Sequence, residues 1–243
     1  MLLLLKLFAA LIILGTAILG GLIAKRAPAY TNYADALAGG IFLGASGFHL
    51  LPDAIGAFSG AHFTTPLLLA VLLTLVSCLL LVIFDAIAYR LHGGELRVCA
   101  YMLTLTLSIH ATLAGISFGL SATVGTLLLL FVAIIAHKGS ASFALAKLLQ
   151  RSCLGDGRWQ QLFMLFALTT PMGILLGAVL APELAPYTGI TGYFNAIAAG
   201  TFLYIPLIHL RKYLLTGSRV ESLKNFSALL VGMSVMAGLA IVM

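Results

Sequence analysis

Two apolar stretches decide how this chain folds: residues 107–119, which read LSIHATLAGISFG, and residues 135–145, which read IAHKGSASFAL. Each contains one histidine, His110 or His137, and the second also contains Lys138, which is the only Lys, Arg, Asp or Glu in either stretch. Ionisable side chains at membrane depth are costly and usually face a protein interior or a water-filled path. A functional role for both histidines is therefore the first hypothesis.

The composition predicts an all-α polytopic membrane protein. Of its 243 residues, 62% are hydrophobic and only 8% are charged, and the mean hydropathy is +1.14, which an ordinary soluble domain does not reach. A membrane-spanning helix needs about 20 apolar residues. Eight such stretches divide the chain, which we treat as one transmembrane domain over residues 1–243: 2–24, 34–58, 65–90, 99–121, 123–147, 160–181, 190–214 and 222–243.

The basic residues predict the orientation. The net charge of +6 comes from residues scattered at the ends of apolar stretches, so no nucleic-acid partner is expected. Eleven of the thirteen Lys and Arg fall in alternate loops. The positive-inside rule then places both termini outside the cytoplasm, in an integral protein of the plasma (inner) membrane. The first stretch could be a signal peptide, but its length and the Lys25 and Arg26 that follow favour a retained helix.

A repeat links the second and seventh spans. Residues 37–50 and 197–210 each contain a Gly-x-Phe-Leu unit with a histidine nine residues after the glycine, His49 or His209. Because these spans run in opposite directions, the copies would be inverted and related by an axis in the membrane plane. We predict an inverted repeat of spans 1–3 and 6–8 around a central pair, spans 4–5.

The histidines favour a path for a cation. Four of the six, His49, His110, His137 and His209, lie within spans, and imidazole binds zinc, copper, nickel and iron well. Any one of them could instead bond a neighbouring helix. Asp53, at the outer end of span two, could raise the local cation concentration or be a solvated helix end. Asp85, near the inner end of span three, could act similarly or pair with Arg90.

Three further polar side chains lie close to the central histidines. The ammonium of Lys138 could take the place of a second metal ion beside His137, or it could snorkel or form an ion pair. Ser108 and Ser140 could supply an oxygen ligand or orient an imidazole. They could equally bond the backbone of their own helices.

At these residues the chain resembles the Zrt-/Irt-like protein (ZIP) family of divalent-metal transporters. The resemblance rests on the following segments: GxFLx5HLLPD in span two, SIHATLAGISFG in span four, HKGSASFAL in span five, TTPMGILLG in span six and NAIAAGTFLY in span seven. It implies an eight-helix transporter that moves zinc or a related dication toward the cytoplasm.

The resemblance also implies roles for individual residues. His110 and His137 match the central metal ligands, and His49 and Asp53 match an entrance pair. Lys138 is similar to the lysine of members that hold one central metal ion, and Asn195 matches a polar position of the seventh helix.

The chain departs from the family pattern at the central site. Many members place a glutamate four residues after one or both central histidines, where this chain has Ala114 and Ala141. His209 stands where members usually have an acidic residue. Two imidazoles with no carboxylate, beside an ammonium, would hold a dication weakly, although conduction also requires that an ion can leave.

The resulting hypothesis is a transporter of zinc, or of iron or another first-row dication, working by alternating access. Its expected partners are the metal ion as substrate and the lipid bilayer, with a homodimer as an option and no cofactor. The alternative is a membrane protein of this fold that has lost dication transport and serves as a sensor, a partner-binding subunit or a carrier of another solute. No enzyme is expected, because Ala114 and Ala141 leave the central pair without the carboxylate that most metalloenzyme sites use.

Overall fold

Helices make up every regular element of the part that the computed structural model describes, which is residues 1–26, 32–92, 96–152, 154–187, 189–215 and 219–242. In order they are α1 (Leu2–Arg26), α2 (Asn32–Ala45), a π-helical turn (Ser46–Leu50), α3 (Leu51–Gly60), α4 (Pro66–Leu91), α5 (Leu96–Leu120), α6 (Val124–Arg151), α7 (Asp156–Leu184), α8 (Ile190–Leu215) and α9 (Arg219–Val242).

Eight helical segments are long and apolar enough to cross a membrane, with α2, the π-helical turn and α3 forming one continuous segment, Tyr33–Gly60. This confirms the predicted all-α polytopic fold and its eight spans. Successive crossings put the start of α1 and the end of α9 at one end of the bundle, here called the terminal end. The opposite end, called the basic end, carries Lys25, Arg26, Arg90 and Arg97.

The spans form two bundles. In the first, α5 packs against α7 and α1 packs against α6, while in the second, α2 packs against α9 and α4 packs against α8. The bundles meet mainly where α5 lies against α8. An inverted repeat would relate spans 1–3 to spans 6–8 and span 4 to span 5. Under that relation the α5–α7 contact corresponds to the α6–α1 contact, and the α2–α9 contact corresponds to the α8–α4 contact, so the observed pairings are compatible with it. The repeat itself stays a prediction.

Glycines bring α5 and α7 into backbone contact. A Cβ added to Gly173 would lie 2.6 Å from the Thr112 carbonyl oxygen and 3.1 Å from the Gly115 Cα, and Gly177 faces Gly119 in the same way. Lipid tails are as apolar as leucine, so membrane helices associate largely through such close packing. The position of His110, which lies on α5, therefore depends on this contact.

We expect Gly173→Ala to destabilise the protein by roughly 1–3 kcal/mol, because its methyl group has no space against α5. The melting temperature in detergent should fall by about 5 °C. Gly238→Ala on α9 is the matched control, since nothing lies within 4 Å of its Cβ position. Equal melting temperatures for the two variants would refute the packing argument.

Candidate metal centre

The middle of α5 and the middle of α6 bring the two central histidines together. The ring centroids of His110 and His137 lie 5.5 Å apart, with an interplanar angle of 78°. Both residues are 3% exposed. Two imidazoles bound to one tetrahedral zinc ion would have ring centres about 5 Å apart, given Zn–N bonds of about 2.0–2.1 Å. The separation therefore suits one shared ion.

The hydrogen bonds of His110 define its tautomer. Its Nδ1 lies 3.2 Å from the Ala198 carbonyl oxygen and 3.1 Å from the Thr201 hydroxyl, both on α8. A carbonyl can only accept, and the Thr201 hydroxyl already donates to the same carbonyl, so Nδ1 carries the proton. Nε2 is then left with a lone pair, and it is buried without a hydrogen-bond partner. This is the arrangement of a metal-binding histidine that a second group orients.

The second central ring also has a nitrogen without a hydrogen bond. Nδ1 of His137 is buried and has no partner of hydrogen-bond geometry, although the Ala133 carbonyl one turn earlier interacts with the ring. Ser140 donates a hydrogen bond to the His137 carbonyl oxygen at 2.8 Å, so it bonds the backbone of its own helix, one of the two alternatives given for it above. The Ser108 hydroxyl is buried with no partner in the described part of the chain.

An aromatic pair supports the two imidazoles. Phe202 on α8 stacks on His110 with ring centroids 3.4 Å apart. The Phe202 ring is also nearly perpendicular to the His137 ring, with centroids 5.0 Å apart. Phe42 on α2 packs against Phe202 at 4.8 Å. Phe42 and Phe202 occupy the same position of the Gly-x-Phe-Leu repeat, so the two repeat units meet beside the histidines.

Lys138 points into the first bundle. Its Nζ donates to the Thr170 hydroxyl at 2.9 Å and lies 3.9 Å from the centroid of the Phe166 ring. The side chain is buried, so snorkelling is ruled out, and the structure shows no carboxylate within ion-pair distance among the described residues. A ring face and a hydroxyl are the groups that stabilise the ammonium here.

The space between the histidines is small. A cavity of about 10 Å³ is lined by His110, His137, Lys138, Ala114 and Ala141, among others. This is at the lower limit for one water molecule. In this conformation the central site is closed.

A larger vestibule opens toward the terminal end. Its volume is about 560 Å³, and its wall includes His49, Asp53, Ser117 and Asn195. Ser117 lies two helical turns from His110 on α5, about 10 Å along the axis. The vestibule therefore stops short of the central histidines.

The vestibule wall carries a His–Asp pair formed at the break in span two. Pro52 has no N–H to donate, and just before it the Leu51 N–H bonds the Ser46 carbonyl five residues back, as in a π-helix. Nδ1 of His49 lies 3.3 Å from Oδ2 of Asp53. The carboxylate is 37% exposed, whereas the histidine side chain is 9% exposed, so Asp53 is the more accessible member of the pair.

The remaining predicted site residues lie apart from the central pair. Asn195 lines the vestibule and accepts a hydrogen bond from Ser117 at 3.2 Å through Oδ1. Asp85 interacts with the Tyr204 side chain, which gives it a partner other than Arg90. The His209 side chain lies outside what the structure describes.

No group of three or more His, Cys, Asp or Glu side chains positioned to hold a metal ion occurs among the described residues. The central pair would thus supply two nitrogen ligands, and further ligands would come from water or other small molecules. The residues that sequence reasoning missed are Thr170, Phe166, Thr201 and Phe202. Thr201 and Phe202 lie in the repeat, and Thr170 lies in the TTPMGILLG segment, so three of the four belong to motifs already noted, whereas Phe166 lies in no such motif.

Comparison with known proteins identifies relatives. The sequence model described as "ZIP Zinc transporter" matches residues 88–240. "Zinc transporter ZIP1" of Takifugu rubripes is 34% identical over 143 residues, which cover 58% of this chain and 47% of that protein. "Zinc transporter ZIP2" of Mus musculus is 38% identical over 121 residues, which cover 48% and 38%. "Zinc transporter ZIP1" of Bos taurus is 27% identical over 247 residues, which cover 83% and 75%. The chain thus spans less than half the length of the first two relatives.

We expect Thr201→Val to weaken metal binding by about tenfold, because it removes one of the two groups that orient the His110 ring. Isothermal titration of the purified protein with Co²⁺ or Zn²⁺ measures this. Thr104→Val is the matched control, since its buried hydroxyl bonds only the Ala100 carbonyl of its own helix. If both variants bind metal as the unmodified protein does, Thr201 does not orient a ligand.

Proposed function

The chain belongs to the ZIP zinc transporter family, and we propose that it carries a divalent metal ion, with zinc as the first candidate, across the membrane toward the cytoplasm. The observation that carries this proposal is the central pair. Nε2 of His110 is deprotonated, buried and unbonded, and the His137 ring lies beside it at a distance that suits one shared ion.

The proposed path begins in the vestibule. We take the terminal end as extracytoplasmic, because the opposite end carries most of the Lys and Arg residues. A carboxylate at the mouth of an apolar cavity raises the local concentration of dications. The ion would then pass from Asp53 and His49 to His110 and His137, and leave near His209. Asp85, which interacts with Tyr204, would lie toward the exit.

Alternating access fits the two-bundle architecture. The vestibule is open at one end while the central cavity holds no more than one water molecule. An ion can reach the histidines only if α5 shifts relative to α8, which carries Phe202 and the partners of His110. A movement of one bundle against the other would provide that shift.

Lys138 supports a single ion at the centre. Its ammonium lies in the same cavity lining as the two histidines, where a second dication would meet strong repulsion. Without a carboxylate at position 114 or 141, the one ion would be held weakly and released readily.

A second candidate function is favoured by the same two alanines. Ala114 and Ala141 line the central cavity. The same lining would occur in a protein of this fold that no longer moves a dication. Such a protein would act instead as a sensor, a partner-binding subunit or a carrier of another solute. No enzymatic step is part of either proposal. A homodimer also stays a proposal.

We expect His110→Ala and His137→Ala each to reduce zinc uptake into proteoliposomes by more than about tenfold, because one imidazole cannot hold the ion alone. The control is His62→Asn, which changes an exposed histidine in the loop after α3. Elution volume and melting temperature should stay unchanged in all three. Zinc uptake that survives both alanine variants would refute the site, and uptake of no first-row dication by the unmodified protein would favour the second candidate.

We expect Asp53→Asn to raise the KM for zinc uptake about fivefold and to leave the maximal rate nearly unchanged, because the carboxylate concentrates cations at the mouth. The difference from the unmodified protein should shrink at high ionic strength. Glu183→Gln neutralises an exposed carboxylate near the same end of the bundle, outside the vestibule lining, and should leave KM unchanged. Equal KM values for both variants would exclude Asp53 from ion capture.

A further inference from the structure

A second large cavity lies in the half of the bundle nearer the basic end. It is a groove of about 320 Å³ between α1, α2 and α6. Both α1 and α2 pack on α6 and make little contact with each other, so α6 forms the floor of the groove. The walls are Thr16, Leu19, Gly20 and Ile23 of α1, Ala34, Leu37, Ala38 and Ile41 of α2, and Gly139, Ser140 and Phe143 of α6.

The groove is apolar along its whole length. Its two hydroxyl groups are satisfied within their own helices, since Thr16 donates to the Ile12 carbonyl and Ser140 donates to the His137 carbonyl. From Thr16 to Ile23 the wall runs about 10 Å along the helix axis at 1.5 Å per residue. All three helices cross the membrane, so the space lies at the depth of hydrocarbon chains.

Positive charge stands at the end of the groove. Lys25 and Arg26 lie two and three residues after Ile23 on α1 and are exposed at the basic end. The wall of α2 begins at Ala34, close to the same end of the bundle. Arg26 lies three residues after Ile23 and therefore near the groove-facing side of α1, with Lys25 beside it. An apolar groove at hydrocarbon depth, with positive charge at the headgroup level of its α1 wall, is complementary to a lipid with an anionic headgroup.

We propose that this groove binds one acyl chain of an anionic phospholipid, with the lipid phosphate at Lys25 and Arg26. The acyl chain lies between α1 and α2 and contacts Gly139, Ser140 and Phe143 of α6. These residues follow His137 and Lys138 within two turns of α6. The lipid therefore occupies the seam where α1, of the first bundle, faces α2, of the second.

A consequence for transport rests on the proposed function. If the bundles move against each other, the gap between α1 and α2 changes width, and the bound chain sets how far it can close. Lipid binding itself does not depend on transport, so the two proposals can fail separately.

The test is photolabelling of the full chain in phosphatidylcholine bilayers that contain a phosphatidylglycerol with a diazirine in its acyl chain. Peptide mass spectrometry should find the label on the groove residues of α1, α2 and α6, and roughly tenfold more label than with the matching phosphatidylcholine probe. Label spread evenly over the lipid-facing helices, or equal label from both probes, overturns the proposal.

Two pairs of variants separate the acyl chain from the headgroup. Ala34→Phe fills the groove and should abolish groove labelling, whereas Ala86→Phe, at an exposed position on α4 at a similar depth, should not. Lys25→Gln with Arg26→Gln should remove the preference for phosphatidylglycerol. Arg90→Gln with Arg97→Gln removes two charges at the same end and should keep that preference. If Ala34→Phe does not fold, the Lys25→Gln, Arg26→Gln variant alone tests the proposal, and an unchanged preference for phosphatidylglycerol in that variant refutes the site.

Discussion

The candidate centre depends on one hydrogen bond across the interface between the two bundles, from Nδ1 of His110 on α5 to the Ala198 carbonyl on α8. It places the proton on Nδ1 and leaves Nε2 as a lone pair that faces no other partner. Because donor and acceptor belong to different bundles, a shift of one bundle against the other would also reorient this ring. The ligand and the conformational change of the proposed transport cycle are thereby linked.

Close packing holds the donor in place and leaves little room around it. Glycines let α5 approach α7 to backbone contact, and Phe202 stacks directly on the His110 ring. At the basic end, Arg151 of α6 pairs with Asp35 of α2 at 3.3 Å, which adds an ionic link between the bundles. With the ring packed on one side and hydrogen-bonded on the other, its free nitrogen has a defined position. A weak site with few ligands needs such preorganisation.

The fold could be predicted from sequence because hydropathy and loop charge are local properties. Eight apolar stretches appear directly in the sequence, and each corresponds to a helical segment long enough to cross a membrane. The nearness of His110 and His137 could also be anticipated, since their spans adjoin. The partners of Lys138 and the stacking of Phe202 could not, because they depend on the rotation of α7 and α8 about their axes. The same holds for the closed cavity, which reflects a conformational state, and the role of His209 stays a prediction.

X-ray absorption of the zinc-loaded protein in lipid would show whether the two central imidazoles bind the metal ion. We expect two imidazole nitrogens at about 2.0–2.1 Å with oxygen ligands completing the shell, and one imidazole after replacement of either central histidine. A zinc ion coordinated by oxygen or sulfur alone, or a number of imidazole ligands that stays the same in both histidine variants, would contradict the proposed site.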